Sequence, residues 1–249
     1  MNTPGDDGAE RDGERTSDLV VSLSHELRAP LHVIIGLAEL LTDEQQPPSA
    51  EELKRFAGNI QHAGEYLLSI VNDILDISRI ESGKLDVAPE LLHLRSILEA
   101  AVAFMGIKAR ARQVAICCEV ASPEMPVYAD ERRLTQVLYN LLDNAIKYSP
   151  EGGEIRVIAA SDGEMALVRV IDEGPGVPVA ERERIFQSSR KPAPSECTEA
   201  VAGPPGTGLG LPLSRQLVEM QGGRIWVEEQ YTRGSVFAFC LPLGSPDGD

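Results

Sequence analysis

The chain has 249 residues, 39 of them acidic against 23 basic, for a formal net charge of −16. Apolar residues make up 43% of it, enough for a buried core, so the chain as a whole is not disordered. So acidic a composition argues against general binding to nucleic acid or to an anionic membrane, both of which need clustered Lys and Arg.

No apolar run reaches the roughly 18–20 residues that span a bilayer. Residues 1–18 hold six acids and no apolar stretch, unlike a signal peptide. Cys117, Cys118, Cys197 and Cys240 have no metal-binding spacing. Reduced thiols in a cytoplasmic protein are expected.

In chain order, residues 1–16 are polar and glycine-rich and predict a disordered acidic tail. A helical stripe follows through Val20, Leu23, Leu27, Ile34, Ala38 and Leu41, within a helix from about Ser17 to Asp43. Pro47-Pro48 forces a turn. Ser49 reads as an N-cap, with Glu51 and Glu52 in the first turn. A second helix is predicted over Ala50–Glu81, where Leu53, Phe56, Ile60, Ala63, Leu67, Ile70, Ile74 and Ile77 form a heptad seam. Leu68, Val71 and Leu75 widen it, and Ser82-Gly83 ends it. One hairpin cannot cover so wide an apolar face. A homodimer forming a four-helix bundle covers it; packing on the chain's own C-terminal domain is the alternative.

From Lys84 the pattern changes. Strands are predicted at about Leu85–Leu92, Val114–Val120, Glu154–Ala160, Ala166–Asp172, Arg224–Glu229 and Ser235–Leu241, and helices at about Leu94–Arg110, Glu131–Tyr148 and Leu209–Gln221. This mixture implies an α+β sandwich, a sheet with helices on one face. Residues 187–205 contain four prolines and read as a lid or binding loop. The domains expected are a hairpin over 17–82, a second domain over 83–243 and a tail over 244–249.

Four motifs could carry chemistry. In Ser24-His25-Glu26-Leu27-Arg28-Ala29-Pro30-Leu31, helical spacing turns His25 away from the apolar stripe, and Glu26 could hold one ring nitrogen while the other stays free as a nucleophile. In Asn140-Leu141-Leu142-Asp143-Asn144-Ala145-Ile146-Lys147-Tyr148, the two amides, the ammonium and the phenol share one helix face, suited to hydrated Mg²⁺, phosphate and a base. Asp172-Glu173-Gly174-Pro175-Gly176 puts a carboxylate at a strand end, followed by glycines that let backbone come close to a ligand. Gly206-Thr207-Gly208-Leu209-Gly210-Leu211 leads into a helix and offers backbone N–H groups to an anion, with neither the P-loop nor the dinucleotide spacing. Taken singly, each also has a plain reading as a solvated surface or a turn.

These four boxes in this order, closed by Gly234-Ser235-Val236-Phe237, resemble the catalytic core of a bacterial two-component sensor histidine kinase over about Ser17–Leu243. The resemblance implies a dimeric phosphoacceptor hairpin and an ATP-binding domain of the Bergerat fold shared with DNA gyrase. It implies that His25 is the phosphoacceptor and Glu26 its acid–base partner. Asn144 would hold Mg²⁺, with Asn140 nearby and Lys147 on phosphate. Tyr148 would lie against the nucleotide, Asp172 would bind the adenine amino group, and Gly174 and Gly176 would shape the base pocket. Thr207, Gly208, Leu209 and Gly210 would form the phosphate side under the lid.

The resemblance also implies a separate response-regulator receiver as partner, and input from further chain or from a sensor protein docking on the hairpin. Two departures stand out. Ala29 sits where the family commonly has Thr or Asn to position the water that dephosphorylates the regulator, so weak phosphatase activity is expected. Of the phenylalanine-rich segment before the lid, only Phe186 remains. Two other readings compete with the kinase: a non-catalytic dimeric scaffold binding a response regulator, and another Bergerat-fold ATPase, which would need no exposed histidine.

Overall fold

The structure, a computed structural model, describes residues 27–42, 47–122, 124–187, 208–228 and 233–244. It divides into two compact units, one ending at Ser82 and the other beginning at Gly83. The tails and the segment 188–207 lie outside the described residues, as do His25, Glu26 and Thr207.

In the first unit, residues 27–41 form a helix (α1) that runs through a buried Pro30. Helix α2 spans Ala50–Glu81. Its start is a capping box, with the Glu52 N–H donating to Ser49 Oγ at 3.3 Å and the Ser49 N–H donating to the Glu52 carboxylate at 2.9 Å. The Ser49 N–H, and the Ser49 hydroxyl donating to the same carboxylate at 2.7 Å, hold the Glu52 carboxyl below its ordinary value. At the far end the Ser82 N–H donates to Ser78 O, and Gly83 turns the chain with φ +63°. Along the seam Ile70 and Ile77 are buried, whereas Leu68, Val71 and Leu75 are 61%, 43% and 49% exposed. Leu31, Val33, Ile35 and Leu40 of α1 are also exposed.

The second unit is an α+β sandwich. Its strands are β1 (Glu90–His93), β2 (Ala115–Val120), β3 (Pro126–Ala129), β4 (Glu154–Asp162), β5 (Met165–Asp172), β6 (Arg224–Val227) and β7 (Ser235–Pro242). Its helices are α3 (Leu94–Ala111), α4 (Glu131–Tyr148) and α5 (Gly210–Glu219). The main sheet runs β2-β4-β5-β7-β6, with β2 parallel to β4 and the other pairs antiparallel; β1 and β3 make a separate antiparallel pair.

Register decides which side chains meet the helices. Val157 pairs with Val170, Val170 with Phe237, and Phe237 with Val227. Partners across a ladder share a face, so these join Ile155, Ala159, Val168, Phe239 and Ile225 on one buried layer. Helix α3 packs on β2, α4 on β5 and α5 on β6. Helix α4 supplies the other half of the core through Leu134, Val137, Leu138, Leu141, Leu142 and Ile146, none more than 1% exposed.

Three elements differ most from the sequence reading. The strand expected at Leu85–Leu92 is only Glu90–His93. Upstream of it, the Ala88 N–H donates to the Asp130 carboxylate at 3.0 Å, and Pro89 has no N–H to give to a ladder. β3 was not anticipated, because its short stretch opens on a proline and alternates through only two buried residues, Val127 and Ala129. Helix α5 stops at Glu219 because Gly222, with φ +74°, turns the chain and the Gly223 N–H closes on Val218 O at 3.0 Å.

Candidate functional site

Two-residue alternation along β5 carries Val168 and Val170 into the core layer, and the next position of that parity is Asp172. The strand therefore ends by driving a carboxylate toward the helices, where Asp172 is 3% exposed. Its Oδ1 accepts the Gly174 N–H at 2.8 Å and the Ser235 N–H at 3.2 Å. Burial pushes the Asp172 carboxyl above its ordinary value, and these bonds partly oppose that rise. A carboxylate held in this way is an oriented acceptor in a nearly dry setting.

The glycines around it are required by space. A Cβ on Gly174 would lie 2.8 Å from Asp172 Oδ1 and 2.9 Å from the Tyr148 carbonyl. Gly234, at φ +82°, would set a Cβ onto the Asp172 carbonyl, and Gly176 lies against the carbonyl of Gly234. One corner thus gathers the end of α4, the end of β5 and the start of β7.

On α4, Asn140 and Asn144 are half-buried, as is Lys147, and Tyr148 is 40% exposed. The Lys147 ammonium sits 4.9 Å from the centre of the Tyr148 ring. None of the described residues hydrogen-bonds the Asn144 amide. Asn140 Nδ2 donates to Gly210 O at 3.1 Å and to Ser214 Oγ at 3.3 Å, which joins this face of α4 to the start of α5. Leu209, in N-cap position, makes no side-chain cap, so first-turn N–H groups of α5 are not satisfied by it and suit an anion. Gly208 precedes it at φ +63°. Phe186, on a 3₁₀ turn over Arg184–Phe186, is buried and meets Phe237 edge-on at 6.4 Å.

The expected residues from Asn140 through Gly210 therefore come from four separate stretches into one domain, apart from Thr207, which is outside the described residues. The sequence reading missed Ser214. Its signal was a polar residue on the buried face of α5, one turn after Gly210 and beside Leu213, Leu217 and Val218. The donor set fits Mg²⁺ held mainly by phosphate and water. Asn144 offers a neutral amide oxygen, and the described residues contain no cluster of three His, Cys, Asp or Glu that would cage the ion. Among the described residues no helix is long and apolar enough to cross a membrane.

Comparison with known proteins assigns both units. Residues 15–83 match the His Kinase A (phospho-acceptor) domain, and residues 129–245 match the histidine kinase-, DNA gyrase B- and HSP90-like ATPase family. The chain is 33% identical over 241 residues to the cell-division control histidine kinase PdhS of Brucella canis, covering 94% of this chain and 23% of that protein. Full-length ShkA solved with AMPPNP is 30% identical at a TM-score of 0.65, over 92% of this chain and 46% of that one. Histidine kinase ThkA, solved in complex with response regulator protein TrrA, is 25% identical at a TM-score of 0.70, over 98% of this chain and 68% of that one. The chain spans less than a third of the length of the curated relatives it matches. With both domain types present in the order that its motifs imply, the chain belongs to the histidine kinase family, of which it carries the catalytic core.

Proposed function

We propose that the chain is an ATP-dependent protein-histidine kinase that phosphorylates its own His25 and passes the phosphoryl group to an aspartate of a separate response regulator. The observation that carries this reading is the buried Asp172 carboxylate, ringed by glycines at which a Cβ would crowd the backbone or the carboxylate itself. It is an acceptor suited to the amino group of adenine. Tyr148 flanks the base, and Gly174 and Gly176 leave it room. Lys147, Thr207, Gly208, Leu209 and Gly210 take the phosphates, and Phe186 borders the nucleotide. Asn144, with Asn140 beside it, would hold Mg²⁺, which supplies positive charge to the phosphates when bound.

A neutral ring nitrogen of His25 attacks the γ-phosphorus as the bond to the ADP oxygen breaks. Glu26 takes up the ring proton released. The phosphohistidine then gives its phosphoryl group to the receiver aspartate and returns to neutral imidazole. A receiver as partner is supported by the ThkA complex, whose kinase aligns over nearly all of this chain.

Residues 17–82 would form the phosphotransfer hairpin and 83–243 the ATP-binding domain. The exposed Leu68, Val71 and Leu75 row supports a homodimeric four-helix bundle. Cys117, Cys118 and Cys240 are free thiols, in keeping with a reducing, cytoplasmic setting.

Titration with ADP and Mg²⁺ tests the nucleotide site. Binding by the wild type that is lost in Asp172→Ala and Asn144→Ala supports the kinase. No binding by the wild type would favour a non-catalytic scaffold for the response regulator.

A further inference from the structure

A serine at zero exposure on a helix otherwise packed by leucine and valine needs a polar reason. Ser214 lies on α5 one turn beyond Gly210, and its Oγ accepts from Asn140 Nδ2 at 3.3 Å. The same Nδ2 donates to the Gly210 carbonyl at 3.1 Å. A carbonyl can only accept, so the amide atom on the Gly210 carbonyl must be the NH₂ nitrogen, which leaves Oδ1 as the group of the Asn140 amide not bonded to α5. Nδ2 has two protons, and these two acceptors account for both. Gly210 makes the approach possible, since a Cβ there would stand 3.2–3.3 Å from the amide atoms.

The geometry points to Ser214 as a positioning residue for the nucleotide site: with the Gly210 carbonyl it clips the Asn140 amide in one orientation and registers the start of α5 against α4. The consequence is specific. With the NH₂ group spent on α5, Asn140 offers the site an oxygen acceptor and not a donor. The Asn140 face of α4 and the Gly208–Gly210 turn are then held at a fixed separation before any ligand arrives, which lowers the ordering cost of binding. This inference rests on the nucleotide-binding reading given above, and deepens it.

The test is a double-mutant cycle on the full chain, read by titration with ADP and Mg²⁺. Loss of one neutral hydrogen bond predicts a roughly fivefold rise in Kd for Ser214→Ala. The same change made in an Asn140→Ala background is expected to shift Kd less than twofold, because the group being positioned is gone. Gly210→Ala gives a second arm, as it keeps the serine but crowds the amide. Its loss of affinity is expected to be relieved, at least in part, by Asn140→Ala. An equal loss from Ser214→Ala in both backgrounds would make the serine merely structural and overturn the inference.

The Asn140 side-chain amide resonances, recorded without nucleotide, separate this inference from the kinase reading. A wild type that fails to bind ADP would sink that reading, while the resonances still judge the clip. They are expected to move on Ser214→Ala, and resonances that stay in place would refute it.

Discussion

Replacing Asp172 by asparagine separates what that residue does for the fold from what it does for the ligand. Its Oδ1 accepts two backbone N–H groups, from Gly174 and Ser235. The introduced amide keeps one oxygen, which can still accept both. Burial is the largest cause of the raised Asp172 pKa, so a neutral amide avoids the desolvation that the carboxylate suffers. Stability is therefore expected to hold or to rise slightly. Toward adenine the change is severe: the second carboxylate oxygen becomes an NH₂ that opposes the 6-amino group, donor against donor. Losing a charge-assisted bond costs about 1.5–3 kcal/mol and leaving a donor unpaired about 1–3 kcal/mol more. Together these give a loss of affinity for ADP of about 10²-fold or greater. A nucleotide carrying an oxygen at position 6, such as inosine diphosphate, should gain relative to ADP, since the new NH₂ can donate to it. The assay is titration with both nucleotides beside a thermal melt. A folded Asp172→Asn protein that binds ADP within threefold of the wild type would refute the assignment of Asp172 to the base.

Three other outcomes follow from the same structure. Gly234→Ala combines a left-handed φ of +82° with a Cβ driven onto the Asp172 carbonyl, whereas Gly208→Ala shares the sign of φ but meets nothing within 4 Å. Gly208→Ala should lose about 1–2 kcal/mol of stability and Gly234→Ala clearly more, measured by chemical denaturation; equal losses would show that the clash is relieved. Burial and the neighbouring Asp76 carboxylate push Asp73 up from 3.8 to about 6. A group raised in this way favours the folded state below about pH 4 and loses that contribution as pH climbs through 6. Asp73→Asn should thus stabilise the protein at pH 7.5 but hardly at pH 4, and an equal effect at both would contradict the titration. Leu68→Ser removes a 61% exposed leucine from the proposed dimer face. At about 2 kcal/mol per leucine, counted twice by symmetry, the dimer Kd should rise roughly 10³-fold in sedimentation, and an unchanged dimer would place the interface elsewhere.

What the sequence made legible was local. Ser49 with Glu52, and Ser82-Gly83, mark the ends of α2 because caps depend on neighbours three or four residues away. The apolar face of α4 was readable from its period alone. The β2–β4 pairing was not, because parallel strands separated by β3 and α4 leave no local trace. The site divides in the same way. Asp172 and the glycines announce themselves as a strand-end turn, but their crowding against Gly234 exists only once β7 pairs with β5. Asn140 could be assigned to a polar helix face, while its grip on Gly210 and Ser214 spans at least 70 residues of sequence and needed the fold. His25 and Glu26 were legible as a motif and fall outside the described residues.

In the proposed reaction this chain transfers the γ-phosphoryl group of ATP to His25. Incubation with γ-labelled ATP and Mg²⁺ beside a His25→Ala control tests it most directly. Label is expected on the wild-type chain that survives base, is lost in acid as a phosphoramidate is, and is absent from the mutant. Label of the same stability on the His25→Ala protein would contradict the account.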